Sequence, residues 1–111
     1  MIFTLNRFKQ HNTYFKEKIV DYVRCPLSLD VSDYVLQAPD TDLDCTYDLC
    51  GIVNHFGSLN FGHYTAYAKN STNNQWKEFD DSTVRDASSD GVISDASYIL
   101  FYRRRGAIDL D

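Results

Sequence analysis

The sequence lacks an apolar run of the ~18 residues that a membrane span needs. The apolar stretch in its opening, MIFTLNRFKQ, is also too short for a signal peptide. These two absences predict a soluble protein that has no membrane partner.

Basic residues are scarce as well. The chain has 11 Lys and Arg against 16 Asp and Glu, which gives a formal net charge of −5 and a pI near 5.0. Nucleic-acid binding needs Lys and Arg clustered on a basic background, so the composition argues against a nucleic-acid partner. The only basic run, 103–105, ends the last apolar stretch and is typical of a solvated strand end.

Cysteines are few and odd in number. Cys25, Cys45 and Cys50 do not form the dense, even set of a secreted disulfide scaffold. This favours a reducing compartment, so we expect the cytoplasm, the nucleus or both. None of the three opens a helix in a setting for acyl transfer, and we expect buried or half-buried structural thiols. A glycine-flanked serine elbow is missing too, so the sequence shows no nucleophile.

The sequence is rich in β-forming residues. Hydrophobic residues make up 43% of the 111 positions and aromatics 14%, with eight Tyr and seven Phe. This composition is typical of one packed, β-rich domain and excludes a disordered chain. Alternating apolar patterns predict five or six strands and little helix, at 2–8, 18–23, 47–55, 63–69, 76–84 and 97–104.

Three local features connect these strands. We expect the first two strands to form a hairpin, the residues after them to make a single turn capped by Asp30 or Ser32, and 37–44 to be an acidic surface loop. The chain begins inside its first predicted strand. That strand is therefore either the edge of a sheet or continues from residues upstream.

The motif GHYTAY places His63 at the start of a predicted strand. If 63–69 and 76–84 form a hairpin, a four-residue loop sets Asp80 opposite His63, and a six-residue loop makes Asp80 its diagonal neighbour. Both registers put the two side chains on one face, because side chains alternate along a strand. A carboxylate that accepts from one imidazole nitrogen orients the ring and leaves the second nitrogen as a base. The spacing alone fits either a structural hydrogen bond or a catalytic pair.

Two other interpretations involve neighbouring residues. Asp81 lies on the opposite strand face and is a secondary orienting candidate, which a twist or bulge could bring round. Cys45, Cys50, His55 and His63 have the spacing C-x4-C-x4-H-x7-H, which matches no common zinc site. Cys50 and His55 also fall on opposite strand faces. We therefore expect no metal and no other cofactor.

Most of the chain resembles one known family. The stretch YDLCGIVNHFGSLNFGHYTAYAKNSTNNQWKEFDDSTV, followed by SYILFYRRR, resembles the histidine box of the ubiquitin-specific proteases, which are papain-like deubiquitinating cysteine proteases. FTLNRF and KIVDYVRCPLSLDVSDYV resemble the family's arginine-phenylalanine strand and the proline-containing strand and Leu-Asp turn after it. G-H-Y, a tryptophan ahead of F-D-D and a closing L-F-Y make a highly specific combination. The resemblance spans residues 2–103.

The resemblance implies a fold and a domain organisation. The fold is α+β, mainly antiparallel β, as in the C-terminal β-rich part of a papain-like cysteine protease domain. Residues 1–111 would be the C-terminal portion of the catalytic domain, with 104–111 as a flexible tail. The half that bears the nucleophile would lie upstream.

The resemblance also assigns roles to site residues. His63 would be the general base and Asp80 its orienting residue. Four residues would border the channel for the ubiquitin C-terminal tail, namely His55, Gly57, Gly62 and Tyr64. The loop 56–62 resembles the mobile blocking loop over that channel. Phe61 stands where the family commonly has a second glycine, a departure that bears on loop flexibility and leaves the histidine in place.

Two functions follow from these assignments. A complete domain would hydrolyse ubiquitin C-terminal isopeptide or peptide bonds, with ubiquitin, ubiquitinated proteins and the N-terminal half of the domain as partners. The alternative is a noncatalytic fragment or module that binds ubiquitin without cleaving it. His63 and Asp80 favour the first, and the lack of a nucleophile favours the second for these 111 residues taken alone.

Overall fold

A computed structural model describes residues 1–10, 16–19, 22–35, 45–58 and 61–105. These ranges contain nine strands, β1 to β9 in chain order: Ile2–Thr4, Phe8–Gln10, Lys16–Lys18, Ser28–Asp30, Thr46–Phe56, His63–Lys69, Trp76–Asp80, Thr83–Ala87 and Ser97–Arg104. Two single-turn 3-10 helices, Ser32–Tyr34 and Ser89–Gly91, are the only helices in the described ranges. None of the described helices is long and apolar enough to span a membrane.

Seven of the strands form one sheet. Its order is β1-β9-β5-β6-β7-β8, and β4 pairs with the first residues of β5. β2 and β3 form a separate two-stranded hairpin. Every strand pair in the described residues is antiparallel, which confirms the predicted mainly antiparallel β character.

One face of the large sheet carries the core. Its buried cluster consists of Cys25, Leu49, Ile52, Trp76, Val92, Leu100 and Tyr102. Leu49 and Ile52 are three residues apart and would point to opposite faces of a regular strand. The register between β5 and β9 shifts at Cys50, which is a β-bulge that returns both side chains to the core face. Burial of each of these large aliphatic side chains stabilises the fold by roughly 1.5–3 kcal/mol.

The predicted opening hairpin forms with a different pairing. The single strand expected at 2–8 divides, because β1 pairs with β9 whereas β2 pairs with β3. Arg7 lies at the break, with its side chain 2% exposed and its Nε donating to Ser97 O at 2.7 Å. The second predicted strand, 18–23, was wrong for most of its length. Only Lys18 belongs to a strand, Tyr22 and Val23 do not, and 20–21 lie outside the described residues.

The other strand predictions agree better. The structure confirms strands at 47–55, 63–69 and 97–104, with ends shifted by no more than one residue. The strand expected at 76–84 is instead two strands, because Asp81 has a φ of 50° and reverses the chain. The predicted single turn forms at Ser32–Tyr34, but its N-cap is Val31, which makes no side-chain capping hydrogen bond; Asp30 Oδ1 accepts from Ser32 N at 2.9 Å from one residue further out. The acidic loop at 37–44 lies outside the described residues.

The first two residues of the predicted tail, Arg104 and Arg105, lie against the sheet. Arg104 is the last residue of β9, and the Arg105 guanidinium donates to Asp48 Oδ1 at 2.7 Å and Oδ2 at 3.1 Å. It also donates to Ser28 Oγ at 3.1 Å. The flexible tail over 104–111 stays a prediction; Arg104 and Arg105 contact the sheet, and 106–111 lie outside the described residues.

Candidate active site

The hairpin of β6 and β7 has the six-residue loop, 70–75. Its register pairs Lys69 with Trp76 and Ala66 with Phe79. Two asparagine side chains fix the loop: Asn70 Oδ1 accepts from Thr72 N at 2.8 Å, and Asn73 Oδ1 accepts from Gln75 N at 3.0 Å. Of the two registers that the sequence allows, this one makes Asp80 the diagonal neighbour of His63.

His63 and Asp80 meet at the open end of this hairpin. The His63 Nε2 atom lies 2.7 Å from Asp80 Oδ1, and the two side chains are 48% and 37% exposed. An ionised carboxylate only accepts hydrogen bonds, so Nε2 is the nitrogen that donates. Nδ1 then has its lone pair available to take up a proton. The arrangement can orient an imidazole and use it as a base.

Asp81 lies close to the same pair. The φ of 50° at Asp81 is in the left-handed region, which Asp tolerates better than most residues. The sequence places Asp81 on the opposite face of the strand, but in the structure its carboxylate lies near His63 and Asp80. A ring nitrogen of His63 and one carboxylate oxygen each of Asp80 and Asp81 all lie within 4.8 Å of one another. The tight turn produces this approach.

Among the described residues, His63, Asp80 and Asp81 form the group whose donor atoms lie close enough together to hold a metal ion. The set Cys45, Cys50, His55 and His63 is not assembled among the described residues. Cys50 sits at the bulge of β5 and donates through Sγ to Phe101 O at 3.4 Å.

His55 lies beneath the site and not on its surface. The side chain is 2% exposed, and its ring makes edge contacts with Phe8 and Tyr64 at centroid distances of 5.5 and 4.8 Å. Desolvation by burial, followed by the nearby Lys18 charge, lowers the pKa of His55 below its usual value. The ring is therefore neutral at pH 7. This burial places the His55 side chain below the surface residues that were predicted with it to border the channel.

Gly62 packs directly on that ring. A Cβ at residue 62 would lie 1.9 Å from His55 Nε2, far inside van der Waals contact. Only glycine fits between the imidazole and the chain that leads into His63. His55 thus packs against Gly62 and fixes the position of the backbone immediately before His63, the candidate base.

The remaining predicted channel residues are exposed. Gly57 has a φ of +86°, and a Cβ there would meet the Phe61 carbonyl oxygen at 3.0 Å, so a side chain is disfavoured. Tyr64 is 55% exposed and Phe61 88%. The structure therefore places Gly57, Gly62 and Tyr64 at the surface beside His63, with His55 below them. Residues 59–60 of the predicted blocking loop lie outside the described residues.

Sequence reasoning missed three residues that lie near this site, Lys18, Asn54 and Thr65. Lys18 Nζ donates to His55 O at 3.0 Å, and burial lowers its pKa. Asn54 Nδ2 donates to Thr65 Oγ1 at 3.3 Å in the adjacent strand pair. Alternation alone could have placed Asn54 and Thr65 on particular strand faces. Their contact depends on the register between β5 and β6, which the sequence does not display.

The three cysteines, all of which are described, are thiols without a disulfide, and they are buried or half-buried as expected. Cys25 is 4% exposed and its Sγ donates to Val23 O at 3.2 Å. Burial raises the pKa of the Cys25 thiol, against a smaller lowering by Arg7. Cys25 and Cys50 therefore contact backbone carbonyls rather than His63.

Comparison with known proteins agrees with this architecture. The family model described as ubiquitin carboxyl-terminal hydrolase matches residues 1–102, and the chain belongs to this family. Ubiquitin carboxyl-terminal hydrolase 4 of Rattus norvegicus is 41% identical over 106 residues, which are 95% of this chain and 11% of that protein. Ubiquitin carboxyl-terminal hydrolase 15 of Homo sapiens is 39% identical over 106 residues, 95% of this chain and 10% of that protein.

Solved structures show the same fold. A chain of the Ubp8-Sgf11-Sgf73-Sus1 SAGA DUB module matches with a TM-score of 0.82 at 34% identity, over 95% of this chain and 24% of that chain. The Ubp8/Sgf11/Sus1/Sgf73 module bound to ubiquitin aldehyde matches with a TM-score of 0.82 at 33% identity, over 94% and 24%. The predicted family and its β-rich fold are confirmed. The chain spans about a tenth of the length of the curated relatives and about a quarter of the matched Ubp8 chain.

Proposed function

We propose that this chain supplies the general base and its orienting carboxylate to a cysteine-type deubiquitinase. The reaction is thiol-dependent hydrolysis of the isopeptide or peptide bond after the C-terminus of ubiquitin. One observation carries the proposal: His63 Nε2 contacts Asp80 Oδ1 at 2.7 Å in a chain of the ubiquitin carboxyl-terminal hydrolase family. The cysteine nucleophile is contributed by a part of the protein outside these 111 residues.

The geometry assigns a role to each ring nitrogen of His63. Nε2 donates to Asp80, which fixes the ring and stabilises the imidazolium. Nδ1 removes the thiol proton, and the thiolate attacks the carbonyl carbon of the scissile bond. The proton on Nδ1 then passes to the leaving amine, and a thioester remains on the cysteine. Nδ1 next deprotonates water, which attacks the thioester and releases the ubiquitin carboxylate and the thiol.

The exposed residues beside His63 suit an extended peptide tail. We propose that Gly57, Gly62 and Tyr64 border the channel for the ubiquitin C-terminus, because glycines permit close approach of a backbone and the Tyr64 ring is 55% exposed. His55 supports this channel from below through Gly62. The Ubp8 module bound to ubiquitin aldehyde, which has this fold, makes ubiquitin the partner to test first.

The compartment proposed for this activity is the cytoplasm or the nucleus. Cys25, Cys45 and Cys50, all within the described residues, are thiols without a disulfide. Their state is in keeping with a reducing environment.

A second candidate function is ubiquitin binding without cleavage. Cys25 and Cys50 donate to backbone carbonyls away from His63, so neither thiol serves this base in the described arrangement. A chain that presents the channel without a thiol would bind ubiquitin and leave it intact.

A ubiquitin probe with a C-terminal electrophile distinguishes the two functions when it is applied to the full-length protein. The protease forms a covalent adduct, and prior alkylation of thiols prevents it. Ubiquitin binding measured by calorimetry, together with a persistent lack of adduct, would establish the binding module and overturn the protease proposal.

A further inference from the structure

Four polar residues form a row across the core face of the sheet, from the buried interior to the candidate active site. Asn54 of β5 pairs with Ser97 of β9 on one side and with Thr65 of β6 on the other. The register of β6 and β7, continued one residue past Ala66 and Phe79, places Asp80 opposite Thr65. The row is therefore Ser97, Asn54, Thr65 and Asp80.

Three members of this polar row are buried next to apolar side chains of the core. Ser97, Asn54 and Thr65 are 0%, 1% and 9% exposed, on the same sheet face as Ile52 and Leu100. Arg7 Nε holds the buried end of the row through its 2.7 Å hydrogen bond to Ser97 O. The exposed end is the half-exposed carboxylate of Asp80.

Stability alone does not account for Asn54. Its Nδ2 donates to Thr65 Oγ1 at 3.3 Å, but its Oδ1 has no hydrogen-bond partner among the described residues. A buried acceptor without a partner destabilises a fold, and a leucine of similar shape would avoid that cost. Local departures from the most stable choice concentrate at functional sites.

The hydrogen bond from Asn54 determines what Thr65 can do. Because Oγ1 accepts from Asn54 Nδ2, the hydroxyl hydrogen points elsewhere. The residue opposite Thr65 on the other side is Asp80, and opposed residues have Cβ atoms about 4.5–5.5 Å apart. A hydrogen bond to the carboxylate, direct or through one water, is within reach. Since His63 occupies Oδ1 of Asp80, the second carboxylate oxygen is the acceptor that remains.

We propose that Asn54 and Thr65 are positioning residues that hold the Asp80 carboxylate, and through it the His63 ring, in the reactive orientation. This inference rests on the proposed function of His63 as the base. Neither residue contacts the substrate. Their substitution therefore lowers the rate of the chemical step and leaves ubiquitin binding unchanged.

The test uses the full-length protein with the shape-matched variants Asn54→Leu and Thr65→Val. Thr65→Ser retains the hydroxyl and is the conservative rescue of Thr65→Val. Kinetics with ubiquitin carrying a C-terminal fluorophore give kcat and KM across pH, and thermal unfolding gives Tm. We expect Asn54→Leu and Thr65→Val each to lower kcat about tenfold, with KM within twofold. We also expect an altered pH profile, an unchanged or higher Tm for Asn54→Leu, and restored kcat in Thr65→Ser.

The double variant Asn54→Leu with Thr65→Val adds a further readout. Two residues that act through the same Asp80 carboxylate should lose no more together than either loses alone. Unchanged kcat in both single variants would overturn the inference, as would a fall in kcat that only follows a fall in Tm and that Thr65→Ser does not rescue. The His63→Ala variant distinguishes a failure of the proposed function from a failure of this inference. If that variant keeps full activity, the proposed function fails; if it loses activity while Asn54→Leu and Thr65→Val do not, only this inference fails.

Discussion

The carboxylates of Asp80 and Asp81 differ in how the backbone holds them. Asp80 ends β7 in extended conformation, and its Oδ1 contacts His63 Nε2 at 2.7 Å. Asp81 turns the chain with a φ of 50° and lies close by. In the proposed reaction this hydrogen bond makes Asp80 the orienting residue, and the Asp81 carboxylate lies near the same ring.

This difference predicts unequal effects of alanine substitution. Asp80→Ala should lower kcat at least about tenfold, because the ring loses the acceptor that orients it, whereas Asp81→Ala should stay within about threefold. Asp86→Ala, which removes an exposed carboxylate paired with Lys77 on the neighbouring strand, is the matched control. Steady-state hydrolysis by the full-length protein measures all three. A larger loss in Asp81→Ala than in Asp80→Ala would reverse the assignment.

Gly62 is a second residue whose substitution should disturb the site. Gly62→Ala would place a methyl group 1.9 Å from His55 Nε2, so the backbone before His63 must move and hydrolysis should fall about 100-fold. Gly91→Ala is the matched control, because a Cβ there meets nothing within 4 Å. Removing the ring should relieve the clash, and the double variant Gly62→Ala with His55→Ala should recover part of the lost rate. Equal activity of Gly62→Ala and Gly91→Ala would contradict the close packing of Gly62 on the His55 ring.

At the scale of elements, the start of β5 is held by one arginine. Arg105, just after β9, donates two hydrogen bonds to Asp48 of β5 and one to Ser28 of β4. This contact ties three strands together at the end of the sheet remote from His63. The hydrogen bonds from Arg105 lower the pKa of Asp48, against a smaller raising by burial.

The lowered pKa of Asp48 predicts a pH-dependent contribution to stability. The ionised form is favoured in the folded chain, so the stabilisation is present above the unfolded pKa of about 3.9. It is lost as the pH falls through the lower folded value. Asp48→Asn should therefore reduce the free energy of unfolding at pH 7 by at most about 1 kcal/mol, since both groups are partly exposed. Urea unfolding of the wild-type and Asp48→Asn proteins at pH 7 and near pH 2 measures this difference in the free energy of unfolding. An equal loss at both pH values would exclude the ion pair as the cause.

The strands also show which parts of the fold the sequence patterns could predict. Long alternating runs predicted β5, β6 and β9 because each strand pairs on both sides and has one face in the core. The breaks at Arg7 and Asp81 were missed, since an arginine that bonds within the core and an aspartate in left-handed conformation leave no pattern along the chain. The contact of His63 with Asp80 followed from one hairpin. The burial of His55 and the row through Asn54 and Thr65 depend on pairings between distant segments, which periodicity does not specify.

The whole molecule has two unlike sheet faces. One carries the core, whereas the other leaves apolar side chains open, with Ile2 at 64%, Phe79 at 41% and Val84 at 56% exposed. Phe79 and Val84 are directly paired between β7 and β8, so they form a continuous apolar surface. Contiguous surfaces of this kind mark sites where protein surfaces associate.

This surface predicts the behaviour of the 111-residue chain in isolation. The chain should self-associate with rising concentration, and the double variant Phe79→Thr with Val84→Lys should shift it towards monomer. Tyr34→Ser, which changes an 87% exposed aromatic outside the large sheet, is the matched control and should have no effect. Sedimentation velocity measures the distribution. A wild-type chain that stays monomeric and melts cooperatively would contradict this prediction.

The central claim concerns His63 as the base of a deubiquitinating reaction, and one substitution in the full-length protein tests it most directly. Lys77→Ala serves as the control, because it alters the same hairpin away from the pair. The measurement is kcat/KM for ubiquitin released from a C-terminal fluorophore. The account predicts that His63→Ala lowers kcat/KM at least about 1,000-fold while ubiquitin binding persists. A His63→Ala protein within about threefold of wild type would contradict it.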